Sequence, residues 1–120
     1  MTRRRFPRSV YDIGTEPDPR FSLANERTFL AWVRTSLALT AAGVAIEALD
    51  LPVAPGLRLA AALVLVAGGV LVPLLAWLTW ASMERALRLA TPLPGSRTAV
   101  PVAVACSSAG VLLLVGLLIR

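Results

Sequence analysis

Three apolar runs, at residues 29–49, 57–80 and 99–119, dominate the chain, and polar, charged or turn-forming residues separate them. About 20 apolar residues at 1.5 Å each cross a ~30 Å hydrocarbon core, so each run is long enough to span a bilayer. The pattern predicts an all-α membrane protein with three transmembrane helices. The first helix begins near residues 19–22. Asp18 before Pro19 reads as an N-cap followed by proline at the first helical position, with Ser22 as a second candidate cap. It ends near residues 49–50, before a loop marked by Pro52, Pro55 and Gly56. The second helix runs from about residue 57 to about residue 89. Pro73 sits in its middle and frees the carbonyl of Gly69. Thr91, Pro92, Pro94 and Gly95 end it, and the third helix spans about 99–119. The division is a polar N-terminal segment, 1–18, which reads as irregular, and a three-helix membrane domain, 19–120.

Composition agrees. Hydrophobic residues make up 57% of the 120, above the ~45–50% of soluble domains. The polar segment is too small to hold a core of its own. The net charge is +5. Because the arginines flank the spans, they point to anionic lipid headgroups and not to nucleic acid. Before the first span lie Arg3, Arg4, Arg5, Arg8, Arg20 and Arg27; Arg85, Arg88 and Arg97 follow the second span. The opposite side has Arg58 and Arg120. The positive-inside rule then puts the N-terminus in the cytoplasm and the C-terminus outside. Trp32, Trp77 and Trp80 fall near the same boundary, at the depth tryptophan prefers. The opening arginines do not make a twin-arginine export signal, because no apolar region follows them closely.

Around the first helix, at 100° per residue, Arg27, Ala31, Arg34, Ala38, Ala41 and Ala45 share one stripe. Asn25, Phe29, Trp32, Ser36, Thr40, Gly43 and Glu47 share a roughly opposite one. Two faces that suit neither lipid nor the bilayer core need two partners. One stripe is expected to pack on the second and third helices. The other, with its arginines, is expected to face water or another copy. Arg34 is shallow enough to snorkel or to pair with Glu26; the other reading has it facing water or an anion. Glu26 reads as an ion-pair or backbone-capping group, and Glu84 and Arg88 as a surface pair four residues apart. Glu47 reads as solvated. Ser107 and Ser108 read as interhelical hydrogen-bonders, and Cys106, alone, as a small packing residue.

With no histidine, no paired carboxylates, no phosphate-binding glycine loop and no metal-ligand spacing, the sequence predicts neither an enzyme nor a bound metal or cofactor.

The run Leu23-Ala24-Asn25-Glu26-Arg27-Thr28-Phe29-Leu30-Ala31-Trp32, continued by Arg34-Thr35-Ser36-Leu37-Ala38-Leu39, resembles the signature of the domain of unknown function 202 family. These are small bacterial inner-membrane (YidH-like) proteins, and the family is similar to the membrane domain of the fungal vacuolar transporter chaperone complex. That complex makes polyphosphate and passes it across a membrane through a ring of such domains. The resemblance implies a multi-pass protein of the bacterial plasma membrane. It also implies self-assembly as a homo-oligomer, a pentamer or a trimer. Arg20 and Arg27 match the basic positions around the motif; Arg34 matches the bacterial version alone. The expected function is a channel or transport subunit. Arg20, Arg27 and Arg34 would form its electropositive cytoplasmic vestibule for phosphate or polyphosphate, and Asn25, Glu26, Thr28 and Trp32 would be its structural motif. The alternative is a non-conducting scaffold for a partner membrane protein.

Overall fold

The computed structural model describes residues 5–120. Arg3 and Arg4, which entered the orientation argument, lie outside the described residues. Four helices follow in order: α1 (Arg8–Tyr11), α2 (Pro19–Ala48), α3 (Pro55–Leu89) and α4 (Ala99–Leu118). The three long helices have mean hydropathies of 1.6, 2.6 and 2.2. Together they make a bundle 64 Å in its longest dimension.

The start of α2 obeys the sequence signal. Asp18 is the N-cap, its carboxylate accepts the backbone N–H of Arg20 at 2.9 Å, and Pro19 takes the first turn. Ser22 does not cap; it lies inside the helix and reaches α3. A proline also opens α3, and Pro73 is carried inside it.

The central helix is α3. Backbone contacts join α2 to α3 and α3 to α4, with none between α2 and α4 among the described residues. Close backbone approach of the first long helix is thus confined to α3, and with α4 it shares a side-chain core that Leu39 and Ala109 both enter. One face of α3 fills the stripe that α2 offers, and α4 takes another face. The shared core is Leu39, Ala61, Leu65, Val72 and Ala109, with Trp32 packed against it. Small residues set the spacing. At Gly69 a Cβ would run into the Thr40 hydroxyl and lie 3.0 Å from the Ser36 carbonyl oxygen, so α2 and α3 approach closely only because that position is glycine.

After α3 ends at Ala90, in the left-handed conformation, the chain doubles back beside it. The Arg97 N–H donates to the Thr79 hydroxyl at 3.4 Å, and Thr98 is buried just before α4 begins. At the other end the Ala54 N–H donates to the Gly116 carbonyl, tying the α2–α3 loop to the end of α4.

The N-terminal segment is not irregular throughout. Residues 8–11 form one helical turn, and the segment straps across the last turns of α3. The buried Arg88 donates to the Ile13 carbonyl from Nε at 2.8 Å and to the Tyr11 carbonyl from Nη2 at 2.9 Å. Arg85 donates to the Ser9 carbonyl. The Thr15 N–H returns a bond to the Arg88 carbonyl at 3.1 Å. Gly14 makes this possible: its φ is +60°, and a side chain there would strike the Arg88 backbone. Arg88 also faces Glu16 at 3.4 Å. The expected Glu84–Arg88 surface pair does not form, because both side chains are buried and engaged elsewhere: Arg88 by the strap, Glu84 by α2. Cys106 is exposed, not packed. Ser107 and Ser108 make no hydrogen bond to another helix among the described residues.

Candidate functional site

The motif residues divide between two faces of α2. Asn25 points into the bundle. Its amide donates to the Trp80 carbonyl at 3.1 Å and to Glu84 Oε1 at 3.3 Å. One turn earlier, the Ser22 hydroxyl donates to Glu84 Oε2 at 3.2 Å. Glu84, 3% exposed, is thus held by two neutral donors from α2. This clamp joins residues about 60 positions apart and fixes the register of α2 on α3. Trp32 and Phe29 are half-buried on the same side. Phe29 meets Trp77 edge-on, and Trp77 lies against Trp80 at 5.1 Å between centroids. The sequence reading missed the Glu84 clamp. Its one visible trace was an acidic residue in the long helical continuation of an apolar span.

Arg27 and Arg34 point away from the bundle. Both are exposed, and neither has an ion pair or side-chain hydrogen bond among the described residues. Glu26 is exposed as well and pairs with neither of them. Ala31, Ala38, Ala41 and Ala45, which share the arginine stripe, are all exposed. Of the two stripes read from the sequence, α3 covers the one carrying Asn25, Ser36 and Gly43 and leaves the arginine stripe bare.

Arg20 is in different circumstances. It forms an ion pair with Asp18 at 2.8 Å. The side-chain bond from Arg20, with its backbone N–H second, lowers the Asp18 carboxyl below its ordinary range, and the carboxylate raises Arg20 in return. The Arg20 side chain is exposed and paired with Asp18, whereas Arg27 and Arg34 have no partner among the described residues. At the far end of α2, Glu47 is not simply solvated. It lies 3.5 Å from Arg58, which also faces Asp50 at 3.4 Å and donates to the Leu51 carbonyl.

The bare side of α2 has a further pattern. Leu23, Leu30, Leu37 and Val44 recur at intervals of seven, and each is more than half exposed. With Arg27, Arg34 and Ala41 between them they form a bulky ridge. Beside it Ala24, Ala31, Ala38 and Ala45 recur at the same interval with Thr28, Thr35 and Ala42 between them, forming a shallow groove. Thr28 and Thr35 donate their hydroxyl protons to the carbonyls four residues back, which leaves each oxygen with accepting capacity only. A strict seven-residue repeat is the geometry of helices that supercoil on one another.

The pattern of the domain of unknown function (DUF202) matches residues 20–86. The inner membrane protein YidH of Escherichia coli (strain K12) is 48% identical over 85 residues, 68% of this chain and 72% of that protein. An uncharacterized protein of Mycobacterium tuberculosis (strain ATCC 25618 / H37Rv) is 45% identical over 101 residues, 82% of each chain. No solved structure matches the chain.

Proposed function

Because the chain belongs to the DUF202 family and folds into three helices long and apolar enough to cross a membrane, it is a multi-pass bacterial inner membrane protein. On that footing we propose that it is one subunit of a ring of identical copies whose arginine edge lines a path for anions. The observation that carries this reading is the bare face of α2, where two arginines without an ion-pair partner among the described residues sit between a bulky ridge and a small-residue groove.

A ridge on one flank and a groove on the other suit a head-to-tail ring, in which every copy gives its ridge to one neighbour and its groove to the next. In such a ring all copies stand at the same height. Arg27 then lies level with the neighbour's Thr28 and Arg34 level with its Thr35, so guanidinium donors meet hydroxyl acceptors. Ridge and groove are about 100° apart around a helix of 3.6 residues per turn. That angle suits a ring of about four or five copies; a trimer needs about 60°. The direction between the two flanks, towards the axis, belongs to Arg27, Arg34, Ala38 and Ala45. The N-terminus lies in the cytoplasm in this reading, so the arginines stand at the cytoplasmic mouth. There they raise the local anion concentration. Resemblance to the membrane domain of the polyphosphate complex suggests phosphate or polyphosphate as the anion class. In this reading the ring conducts anions and its subunits perform no catalysis.

The test is conduction by the purified assembly in bilayers. Wild-type protein is expected to pass phosphate or short polyphosphate, and Arg27→Glu with Arg34→Glu to abolish or invert anion preference while the oligomer persists. An intact ring that passes no anion, with its axis packed shut by side chains, rejects the channel in favour of the scaffold.

A further inference from the structure

On the side of the Glu84 clamp facing the strap lies a cavity of about 330 Å³. Two helix faces and the strap build it. From α2 come Glu26 and Phe29, from α3 Trp77, Trp80 and Glu84, and from the strap Phe6 and Tyr11. Glu26 and Phe29 are three apart, and Trp77, Trp80 and Glu84 follow at three and four, so each set shares one helix face. Phe6 stacks on Trp77, and Tyr11 leans on Trp80, at 6.3 Å in both cases.

Apart from the Ser22 hydroxyl, whose proton goes to Glu84, the polar features of this wall attract positive charge. It holds two carboxylates, and aromatic faces are negative. Glu84 is buried, and among the described residues its hydrogen-bond partners are the neutral donors Ser22 and Asn25. Arg88, one turn further along α3, is bonded to the strap and to Glu16, its guanidinium 5.5 Å from the centre of the Tyr11 ring and not paired with Glu84. Glu26 has no ion-pair partner among the described residues. The protein already seats two cations against the Tyr11 part of this wall: the Arg5 and Arg88 guanidiniums lie 4.5 and 5.5 Å from the centre of that ring, leaving the Trp77, Trp80 and Phe29 faces beside the carboxylates. A metal ion does not suit the site, since two carboxylates among rings offer too few oxygen donors and no three-residue acidic cluster exists among the described residues. A cation carrying alkyl groups does suit it, placing carbon against the rings and charge against the carboxylates.

We propose that this cavity binds a substituted ammonium group, carried by a lipid headgroup or by a free amine. The proposal does not depend on whether the arginine edge conducts. The test is tryptophan emission of the full chain in neutral detergent, titrated with choline and with its uncharged isostere 3,3-dimethylbutan-1-ol. Choline is expected to change the emission saturably, and the alcohol is not. Glu26→Gln, at an exposed helix position that tolerates the change, is expected to weaken choline about fivefold. Trp77→Leu is expected to weaken it by about the same factor, through loss of a ring face. Equal response to the alcohol, no saturable response to choline, or unchanged affinity in Glu26→Gln would overturn the site. Glu84→Gln, checked for intact helicity, is a second variant, and retained choline affinity there counts against the proposal as well. In nanodiscs, weaker choline binding with phosphatidylethanolamine than with phosphatidylglycerol identifies the occupant as a headgroup. Equal binding in the two identifies it as a free amine.

Discussion

Asn25 decides how the first long helix sits on the second. Its amide satisfies two acceptors on α3, the Trp80 carbonyl and Glu84 Oε1, which nothing else from α2 reaches. Asn25→Ala leaves both without that donor in a partly buried position and is expected to cost about 1–3 kcal/mol, measured as a lower midpoint of unfolding in mixed micelles. Asp18 acts on a smaller stretch. Its carboxyl is lowered by its bonds from Arg20. The stabilisation it gives is therefore complete above the ordinary aspartate value of 3.8 and is lost as pH falls from there through the lowered folded value. Amide hydrogen exchange over residues 20–23 is expected to accelerate in that acid window relative to the rest of α2. Asp18→Ala should remove the pH dependence. The Asp18–Pro19 cap was legible in the sequence because capping is local. The Asn25–Glu84 bond was not, because its partners are 59 residues apart and no periodicity records which side chains meet across two helices.

At the scale of elements, α2 is a helix with two different customers. The stripes were readable from residue spacing, since small and polar residues among leucines break the lipid-facing pattern. Which stripe α3 would take was readable from the arginines, which favour water or another copy; the close fit of Gly69 against Thr40 and Ser36 was not, because it depends on which turns meet across two helices. Gly69→Ala puts a methyl group into that contact and is expected to destabilise the α2–α3 pair by about 1–3 kcal/mol, seen in thermal unfolding. The bare side gives a different readout. Ala38→Leu fills the groove without touching α3 and is expected to lower the mass of the assembly in native mass spectrometry while leaving helicity unchanged. In a Cys106→Ser background, mixed Leu37→Cys and Ala38→Cys copies should cross-link to each other more readily than either does alone. A two-fold pair joining like faces predicts the reverse.

The whole molecule is arranged around α3, the helix that touches both other spans and also carries the strap. Hydropathy marked its span, and the continuation to Leu89 was visible as a helical pattern beyond it. The strap was hidden because its bonds run from arginine side chains to backbone carbonyls, and carbonyls have no sequence signature. Arg88→Ala removes two charge-assisted bonds, each worth about 1.5–3 kcal/mol. It is expected to release residues 5–16, making Arg8 a fast site in limited trypsin digestion while α2 and α3 remain resistant. The strap also has a history in time. Ile13 is made 75 residues before the Arg88 that will hold it, an interval of about 4–15 s at about 5–20 residues per second. Throughout that interval Val10, fully buried in the finished protein, has no cover. The receptor arrives only when both α2 and α3 have been made, and their antiparallel course returns Arg88 to the end of the bundle where the N-terminal segment lies. A chain whose second crossing stalls keeps its first residues loose and open to proteases, so docking of the N-terminal segment marks completion of the second crossing, before α4 inserts.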